Sequence, residues 1–300
     1  MAKTVTVSRS RLLAQFPPAS FLSRSLVLLL SRLPAMLLIL IAICSVTPAT
    51  PLLAAENVFT STGAIKEEVG RFAGEGKLFL KGPVDPYLAE TAVVAGIFGL
   101  TYLFDEDIRS EFAGSHHGVM RGIADVGNAA SNPLLHLGVA AAFYGTGAAT
   151  DNLKVMQLGE EMGEALLLAD GATFLLKGVI GRGRPYRVDD SSSYRPFQFK
   201  DGYDSLPSMH TASSFALAHV VASKTESFYG KASCYAAAGL IGFSRVYQTK
   251  HWASDVVLGA AIGELAGAAV TRYRFAPAGS VTLAPLSIDG APALALTGKF

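Results

Sequence analysis

The sequence predicts an all-α protein folded as a compact helical bundle with a short tail resembling a β-hairpin. Apolar segments of helical length follow one another, and few segments show the two-residue alternation of strands. Glycine, proline, aspartate and serine collect between these segments, as is typical of loops. Many segments are rich in alanine and glycine, and such small side chains let helices pack closely.

Residues 1–55 are expected to be a secretory signal or an N-terminal membrane anchor. They contain five basic residues and no acidic residue, and an apolar run fills 35–46. Twelve residues make roughly 18 Å of helix, less than the roughly 30 Å of a bilayer core, which favours cleavage. The alternative is an uncleaved anchor extending to Ala55. In both cases the body should lie outside the cytoplasm, in the periplasm, either secreted or associated with the membrane.

The charge balance indicates no nucleic-acid partner. The chain has 25 basic and 24 acidic residues, so removal of residues 1–55 leaves 20 against 24, a net charge of −4. No basic stripe with interleaved aromatic residues is present. Cys44 lies in the signal, so Cys234 is the only cysteine of a mature chain and cannot form an internal disulfide.

Most of the predicted helices carry at least one charged residue, and no run reaches eighteen uninterrupted apolar residues. We therefore expect a globular bundle at a membrane surface and not a conventional polytopic membrane protein. The oligomeric state is not indicated. The segments predicted to be helical are 88–104, 133–149, 153–180, 212–224, 231–248 and 252–273.

Two connecting segments have features of their own. The long loop at 182–206 is expected to be either a binding loop or a mobile solvated one. The tail after residue 280 has Asp289-Gly290 between two short apolar runs, which predicts a hairpin. Pro285 and Pro292 limit that hairpin to an edge position.

His251 and Asp255 are the candidate nucleophile and its partner. They lie four residues apart at the start of a predicted helix, so they share a face. A carboxylate bonded to one imidazole nitrogen fixes the tautomer and leaves the other nitrogen free to attack phosphorus. A surface ion pair would have the same spacing, and Arg245, six residues upstream, favours the catalytic interpretation because a guanidinium binds a dianionic phosphate well.

Lys177 and Arg184 add two further cations. Lys177 ends a predicted helix, and Arg184 follows in the sequence Gly-Arg-Gly-Arg-Pro. A solvated basic helix end would have this composition too. The flanking glycines favour close approach of the backbone to an anion.

Ser208 and His210 open the next predicted helix, which should begin near Thr211. Amides at a helix N-terminus point at anions, and the Ser208 hydroxyl can join them. His210 can protonate a leaving oxygen, and it is the candidate general acid.

These motifs resemble the type 2 phosphatidic acid phosphatase (PAP2) superfamily, which includes lipid phosphatases, bacterial class A acid phosphatases and vanadium haloperoxidases. The resemblance covers 177–255 and implies an all-helical domain, which we place at 56–275, followed by a tail at 276–300. It implies that His251 becomes phosphohistidine, that Asp255 orients it and that His210 is the acid. It further implies that phosphate oxygens are held by Lys177, Arg184, Ser208, Arg245 and the backbone amide of Met209.

Met209 departs from the family pattern, which usually has glycine at this position. Its amide donor is retained, but a side chain now lies where the backbone approaches phosphate. The expected activity is metal-independent and cofactor-free hydrolysis of a phosphate monoester or pyrophosphate, with a phosphorylated lipid or small phosphomonoester as substrate. Alternatives on the same site are a catalytically silent lipid-phosphate binder, a phosphotransferase and a vanadate-dependent haloperoxidase. The pair His116-His117 lacks further ligands at metal-binding spacing.

Overall fold

The structure, a computed structural model, describes residues 62–113, 118–198, 200, 202–275, 282–288 and 291–297. The expected signal at 1–55 and the pair His116-His117 lie outside these residues, so both stay predictions. The described residues form nine α-helices and two strands. These elements are α1 (Thr62–Lys81), α2 (Leu88–Leu103), α3 (Asp105–Ala113), α4 (Val119–Ala130), α5 (Pro133–Ala149), α6 (Leu153–Ile180), α7 (Met209–Ser223), α8 (Phe228–Tyr247), α9 (Ala253–Phe275), β1 (Thr282–Ile288) and β2 (Ala291–Thr297).

Helix α9 is the central helix of the bundle. It packs mainly against α7 and α6 and also contacts α1, α2, α3 and α8. Ile262, Ala266 and Val270 on α9 are buried, with at most 8% of their surface exposed. The predicted all-α bundle is confirmed, with α9 as the core helix on which the site is built.

Apolar length alone would also allow a membrane span. Among the described residues, Ala253–Tyr273 of α9 is long and apolar enough to cross a bilayer. Helices α2 and α3 taken together are also long and apolar enough to cross a bilayer, although they meet at a bend of 59°. Because six other helices surround α9, its apolar composition is accounted for by the core of the bundle.

Small side chains bring α7 and α9 close together, as predicted from the composition. A Cβ atom at Gly259 of α9 would lie 2.5 Å from the carbonyl oxygen of Ser208. On α7, Ala212 and Ala216 are fully buried. This close approach places the N-terminus of α7 beside the first turns of α9.

The predicted helices at 133–149 and 153–180 have the observed bounds, because Asn132 and Asn152 cap them at their N-termini. The helix expected to begin near Thr211 begins earlier, at Met209, because the Ser208 side chain is its N-cap. Three helices were not predicted at all. They are α1, α3 and α4, which are more polar than the others.

The predicted hairpin in the tail is confirmed. Strands β1 and β2 pair antiparallel, with Thr282 opposite Thr297 and Ile288 opposite Ala291. This register leaves two residues to connect the strands, in agreement with the Asp-Gly signal. The connecting residues themselves lie outside the described part of the chain.

Candidate active site

The structure brings all eight predicted site residues to one end of α6, α7, α8 and α9. Each is positioned by the end of a helix or by the loop next to it. Lys177 lies in the last turn of α6 and Arg184 in the loop that follows, Ser208, Met209 and His210 start α7, Arg245 is near the end of α8, His251 lies in the turn before α9, and Asp255 is in its first turn.

His251 is a buried, neutral imidazole with one free nitrogen. Its ring is 1% exposed, and its Nδ1 lies 2.8 Å from the carbonyl oxygen of Ser205. A carbonyl only accepts hydrogen bonds, so Nδ1 carries the proton. The Nε2 atom is buried and has no hydrogen-bond partner among the described residues. Burial and the nearby cations hold the pKa of His251 well below its usual value, so Nε2 keeps its lone pair.

The hydrogen bond expected between His251 and Asp255 is absent. The two side chains are 3.6 Å apart, from Nδ1 to Oδ2, which is too long for a hydrogen bond. His251 precedes the first residue of α9, so the pair does not share a helical face in the way that the spacing predicted. The Ser205 carbonyl, and not the Asp255 carboxylate, accepts the hydrogen bond from Nδ1–H.

Asp255 contacts His251 indirectly, through the residues that hold the imidazole. Its Oδ2 accepts hydrogen bonds from the Ser205 hydroxyl, at 2.5 Å, and from the Trp252 amide, at 2.9 Å. Its Oδ1 accepts one from Arg182, at 2.8 Å. Burial raises the pKa of Asp255, and these donors oppose that rise by stabilising the carboxylate. Asp255 therefore fixes Ser205, which bonds to the His251 ring, and Trp252, which follows His251 in the chain.

Lys177, Arg184 and Arg245, which we call the three cations, surround His251 closely enough to lower its pKa. Burial, followed by the charge of Arg184, lowers the pKa of Lys177 to about 8 and that of Arg245 to about 10. Such cumulative repulsion is relieved when an anion is present. The cluster therefore has the charge of a site for a multiply charged anion.

Protein oxygens occupy part of the hydrogen-bonding capacity of the cations. Arg184 donates to both carboxylate oxygens of Asp204, at 2.7 and 2.6 Å, and Lys177 donates to the Asp204 carbonyl. Arg245 donates to Asn128 of α4 and, at 3.0 Å, to Gln248. A bound phosphate would compete with these oxygens for the same donors.

His210 lies across the site from His251, with ring centroids 6.4 Å apart. Burial and the charges of the three cations lower the pKa of His210 to about 3, so it is neutral at physiological pH in the absence of an anion.

Helix α7 directs its N-terminus at the same region. The Ser208 hydroxyl is fully buried and accepts a hydrogen bond from Thr211. The amides of Met209 and His210, at the first two positions of the helix, have no acceptor within it. The Met209 side chain is partly exposed. A glycine at this position would leave the amides equally free.

The loop at 182–206 is tied to the bundle. Gly181 ends α6 with a φ of +62°, and its backbone packs so closely on Arg195 that a Cβ atom would lie 2.0 Å from that carbonyl oxygen. At the loop tip, Ser191 donates its amide to Glu106 of α3, at 2.9 Å. Buried Trp252 donates its Nε1 to the Gly183 carbonyl, at 2.8 Å, and so attaches the loop beside the site.

Ser205, Asp204, Arg182 and Asn128 contact the predicted site residues but were not predicted. Ser205 and Asp204 directly precede the Pro-Ser-x-His motif, and Arg182 lies between two glycines beside Arg184. This proximity was the only available signal. Asn128 is more than a hundred residues away in sequence and gave none.

Within the described residues, one group of carboxylates has the geometry of a metal site. Glu68, Glu160 and Glu164 bring an oxygen each within 4.8 Å of one another. The guanidinium of Arg71 lies 2.5 Å from Glu160 and 2.6 Å from Glu164, and it supplies the positive charge there. Glu164 precedes Lys177 by thirteen residues of α6, or about 20 Å of helix, so this cluster is separate from the candidate active site.

Comparisons with known proteins find similarity over part of the chain. Residues 161–277 match the family model of the PAP2 superfamily. A lipid A 1-phosphatase of Porphyromonas gingivalis is 43% identical over 67 residues, which are 21% of this chain and 15% of that protein. The chain therefore matches only a small part of the relative's length.

One solved structure, that of LpxE from Aquifex aeolicus, is 24% identical and has a TM-score of 0.29, with 52% of this chain and 97% of that chain covered. The family-model match contains all eight predicted site residues, the helices α7, α8 and α9, and most of α6. The similarity to the PAP2 superfamily is thus found in residues 161–277, the part of the chain that carries the candidate site.

Proposed function

We propose that this protein is a phosphatase that hydrolyses a phosphate monoester or pyrophosphate of a lipid through a phosphohistidine. One observation carries the proposal: the unpartnered Nε2 of His251 lies among the three cations, with a second imidazole 6.4 Å away. A nucleophile, an acid and positive charge for phosphate oxygens are thus in one place.

In the first step, Nε2 of His251 attacks phosphorus and forms a P–N bond. The bond between phosphorus and the leaving oxygen breaks, and protonated His210 gives its proton to that oxygen. The three cations, the Ser208 hydroxyl and the free amides of α7 stabilise the equatorial oxygens as their charge grows. The dephosphorylated alcohol or phosphate ester leaves.

In the second step, water attacks the phosphohistidine. His210 now accepts a proton from the water, the P–N bond breaks, and its electron pair returns to Nε2. Inorganic phosphate leaves, and both imidazoles are as they were at the start. Ser205 keeps the Nδ1 proton in place throughout, so the same nitrogen reacts in every cycle.

His210 needs the substrate before it can act as an acid. Its pKa of about 3 reflects burial among cations. A dianionic phosphate neutralises much of that charge and raises the pKa toward the working pH. Protonation of the acid is therefore coupled to binding of the correct anion.

The three cations supply the positive charge that a metal supplies in other phosphatases, so we propose metal-independent catalysis. Chelator insensitivity tests this part.

Exposed apolar surface supports a membrane-bound substrate. Helix α2 has no buried residue although it is among the most apolar helices, with Leu88 61% and Leu103 75% exposed. Leu134 on α5 and Leu175 on α6 are 76% and 64% exposed. Apolar surface on this scale marks a membrane or protein contact. Together with the name of the P. gingivalis relative, it favours a lipid phosphate at a membrane surface as the substrate.

The test is phosphate release from a substrate panel by the purified chain, with chelator present. The panel runs from an aryl phosphate through phosphatidic acid and an isoprenyl pyrophosphate to lipid A. We expect release from at least one lipid, abolished by His251→Ala. The matched control is His219→Ala, since His219 lies on α7 but bonds to Glu264 and Thr271 outside the site.

Full activity of His251→Ala would refute the phosphohistidine mechanism. Stoichiometric phosphate binding with no turnover would identify a catalytically silent binder. Met209 would then be the first residue to test as the cause of the lost activity. Transfer to an alcohol in place of water would identify a phosphotransferase. Halide oxidation dependent on vanadate would identify a haloperoxidase.

A further inference from the structure

Arg182 is the most completely surrounded cation in the described structure. It is fully buried, and all three of its guanidinium nitrogens donate hydrogen bonds. Its guanidinium also stacks over Tyr102 at 4.7 Å and Trp252 at 5.4 Å. None of these partners is solvent, so the direction of every donor is fixed by the fold.

Two carboxylates from different parts of the chain share this guanidinium. Nη1 donates to Oδ1 of Asp255 and Nη2 to Oδ2 of Asp105, both at 2.8 Å. Asp105 is the first residue of α3, and its Oδ1 also accepts the amide of Ser254, at 2.9 Å. Asp105 is thus bonded to Ser254 in the first turn of α9, and the Ser254 hydroxyl also accepts a hydrogen bond from Nη1 of Arg182, at 2.7 Å.

The contact with Arg182 determines how the Asp255 carboxylate is turned. With Oδ1 directed at Arg182, Oδ2 is left for the Ser205 hydroxyl and the Trp252 amide. Both of those residues hold His251: the Ser205 carbonyl accepts a hydrogen bond from its Nδ1–H, and Trp252 follows it in the chain. A rotated carboxylate would release the Ser205 hydroxyl and free its carbonyl to move.

We propose that Arg182, braced by Asp105, is a positioning residue that acts through Asp255 and Ser205 to keep the His251 proton on Nδ1. It touches neither His251 nor the three cations by hydrogen bond. Its loss should therefore slow the attack by Nε2 while leaving phosphate binding intact. The kinetic part of this inference rests on the proposed phosphatase function, and the tautomer part does not.

The decisive variant is Arg182→Lys in the full chain. It keeps the positive charge, but one ammonium cannot reproduce the planar bridge between Asp105 and Asp255. We expect kcat to fall roughly 10- to 100-fold, with KM and the Kd of inorganic phosphate changed less than about threefold. Asp105→Asn, which keeps the shape of the side chain, should cause a smaller fall of the same kind.

The control is Arg187→Lys, which makes the same exchange on an exposed arginine of the same loop and should leave kcat unchanged. The second readout is the tautomer of His251, from ¹⁵N NMR shifts of its ring nitrogens. We expect a single tautomer protonated on Nδ1 in the wild type and a mixture of tautomers in Arg182→Lys.

An unchanged kcat with an unchanged tautomer in Arg182→Lys would overturn the inference, as would a large rise in KM at constant kcat. If Arg182→Lys fails to fold, Asp105→Asn decides by the same two readouts. If the wild type hydrolyses no substrate of the panel, the proposed function fails, and the tautomer measurement alone decides whether Arg182 positions His251.

Discussion

Asp204 occupies the fork of Arg184 that a substrate phosphate would use, so its removal should tighten phosphate binding. The carboxylate accepts two hydrogen bonds from Arg184, at 2.7 and 2.6 Å. Asp204→Asn keeps the side-chain shape but removes the charge that competes with phosphate and repels it. The hydrogen bond of Lys177 is retained, because its acceptor is the backbone carbonyl of residue 204.

The magnitude follows from the exposure of the pair. Two charges about 4 Å apart interact by roughly 4 kcal/mol at an effective dielectric constant near 20. The Asp204 side chain is 40% exposed, which reduces this energy, and an asparagine still accepts one hydrogen bond from Arg184. We expect a net gain of about 1 kcal/mol, or roughly fivefold in the Kd of inorganic phosphate.

Isothermal titration of the full chain with inorganic phosphate at pH 7 measures this change. The control is Asp189→Asn, which removes the same charge from the same loop, at a fully exposed position paired with Arg109. The control should bind phosphate as the wild type does. Unchanged or weaker binding by Asp204→Asn would refute the competition and would mean that Asp204 holds Arg184 in its binding position.

Three further predictions concern His210 and Met209. The pKa of His210, followed by NMR, should rise from about 3 by at least 2 units when phosphate is added, and an unmoved pKa would exclude the acid role. In the unfolded state His210 binds a proton near pH 6.5, whereas in the folded state its pKa is about 3. The free energy of unfolding should therefore fall as the pH drops below 6.5. His210→Gln should remove about 2 kcal/mol of the stability that the wild type loses between pH 7 and 5, measured by urea unfolding, and an identical loss in the variant would contradict this. Met209→Gly should raise kcat with its substrate a few-fold if the side chain crowds the phosphate, and unchanged kinetics would show that the amide alone matters.

The helices that sequence reasoning located well are those with strong local end signals. Helix α6 begins after the cap Asn152 and ends at Gly181, and both ends are properties of the neighbouring residues. Helix α3 was missed because its sequence, Asp-Glu-Asp-Ile-Arg-Ser-Glu-Phe-Ala, is short and mostly charged. It is held in the fold by contacts with α8 and α9, which no local pattern reports.

The candidate site divides in the same way. The motif spacing located the residues that the structure brings together, including His210 and His251. It did not reveal that the Ser205 carbonyl, in place of Asp255, accepts the hydrogen bond from Nδ1 of His251. That contact depends on how a loop lies against the start of α9. The functional roles of these residues and the domain bounds 56–275 stay predictions.

The bond between Asp105 and Arg182 sets a limit on how short a working version of this protein can be. The family-model match begins at residue 161, yet a buried charge inside that match is balanced by a carboxylate 56 positions before it. A fragment beginning at residue 161 would leave Arg182 buried with one carboxylate in place of two and Ser254 without its acceptor. We therefore expect a stable fragment to begin no later than α3.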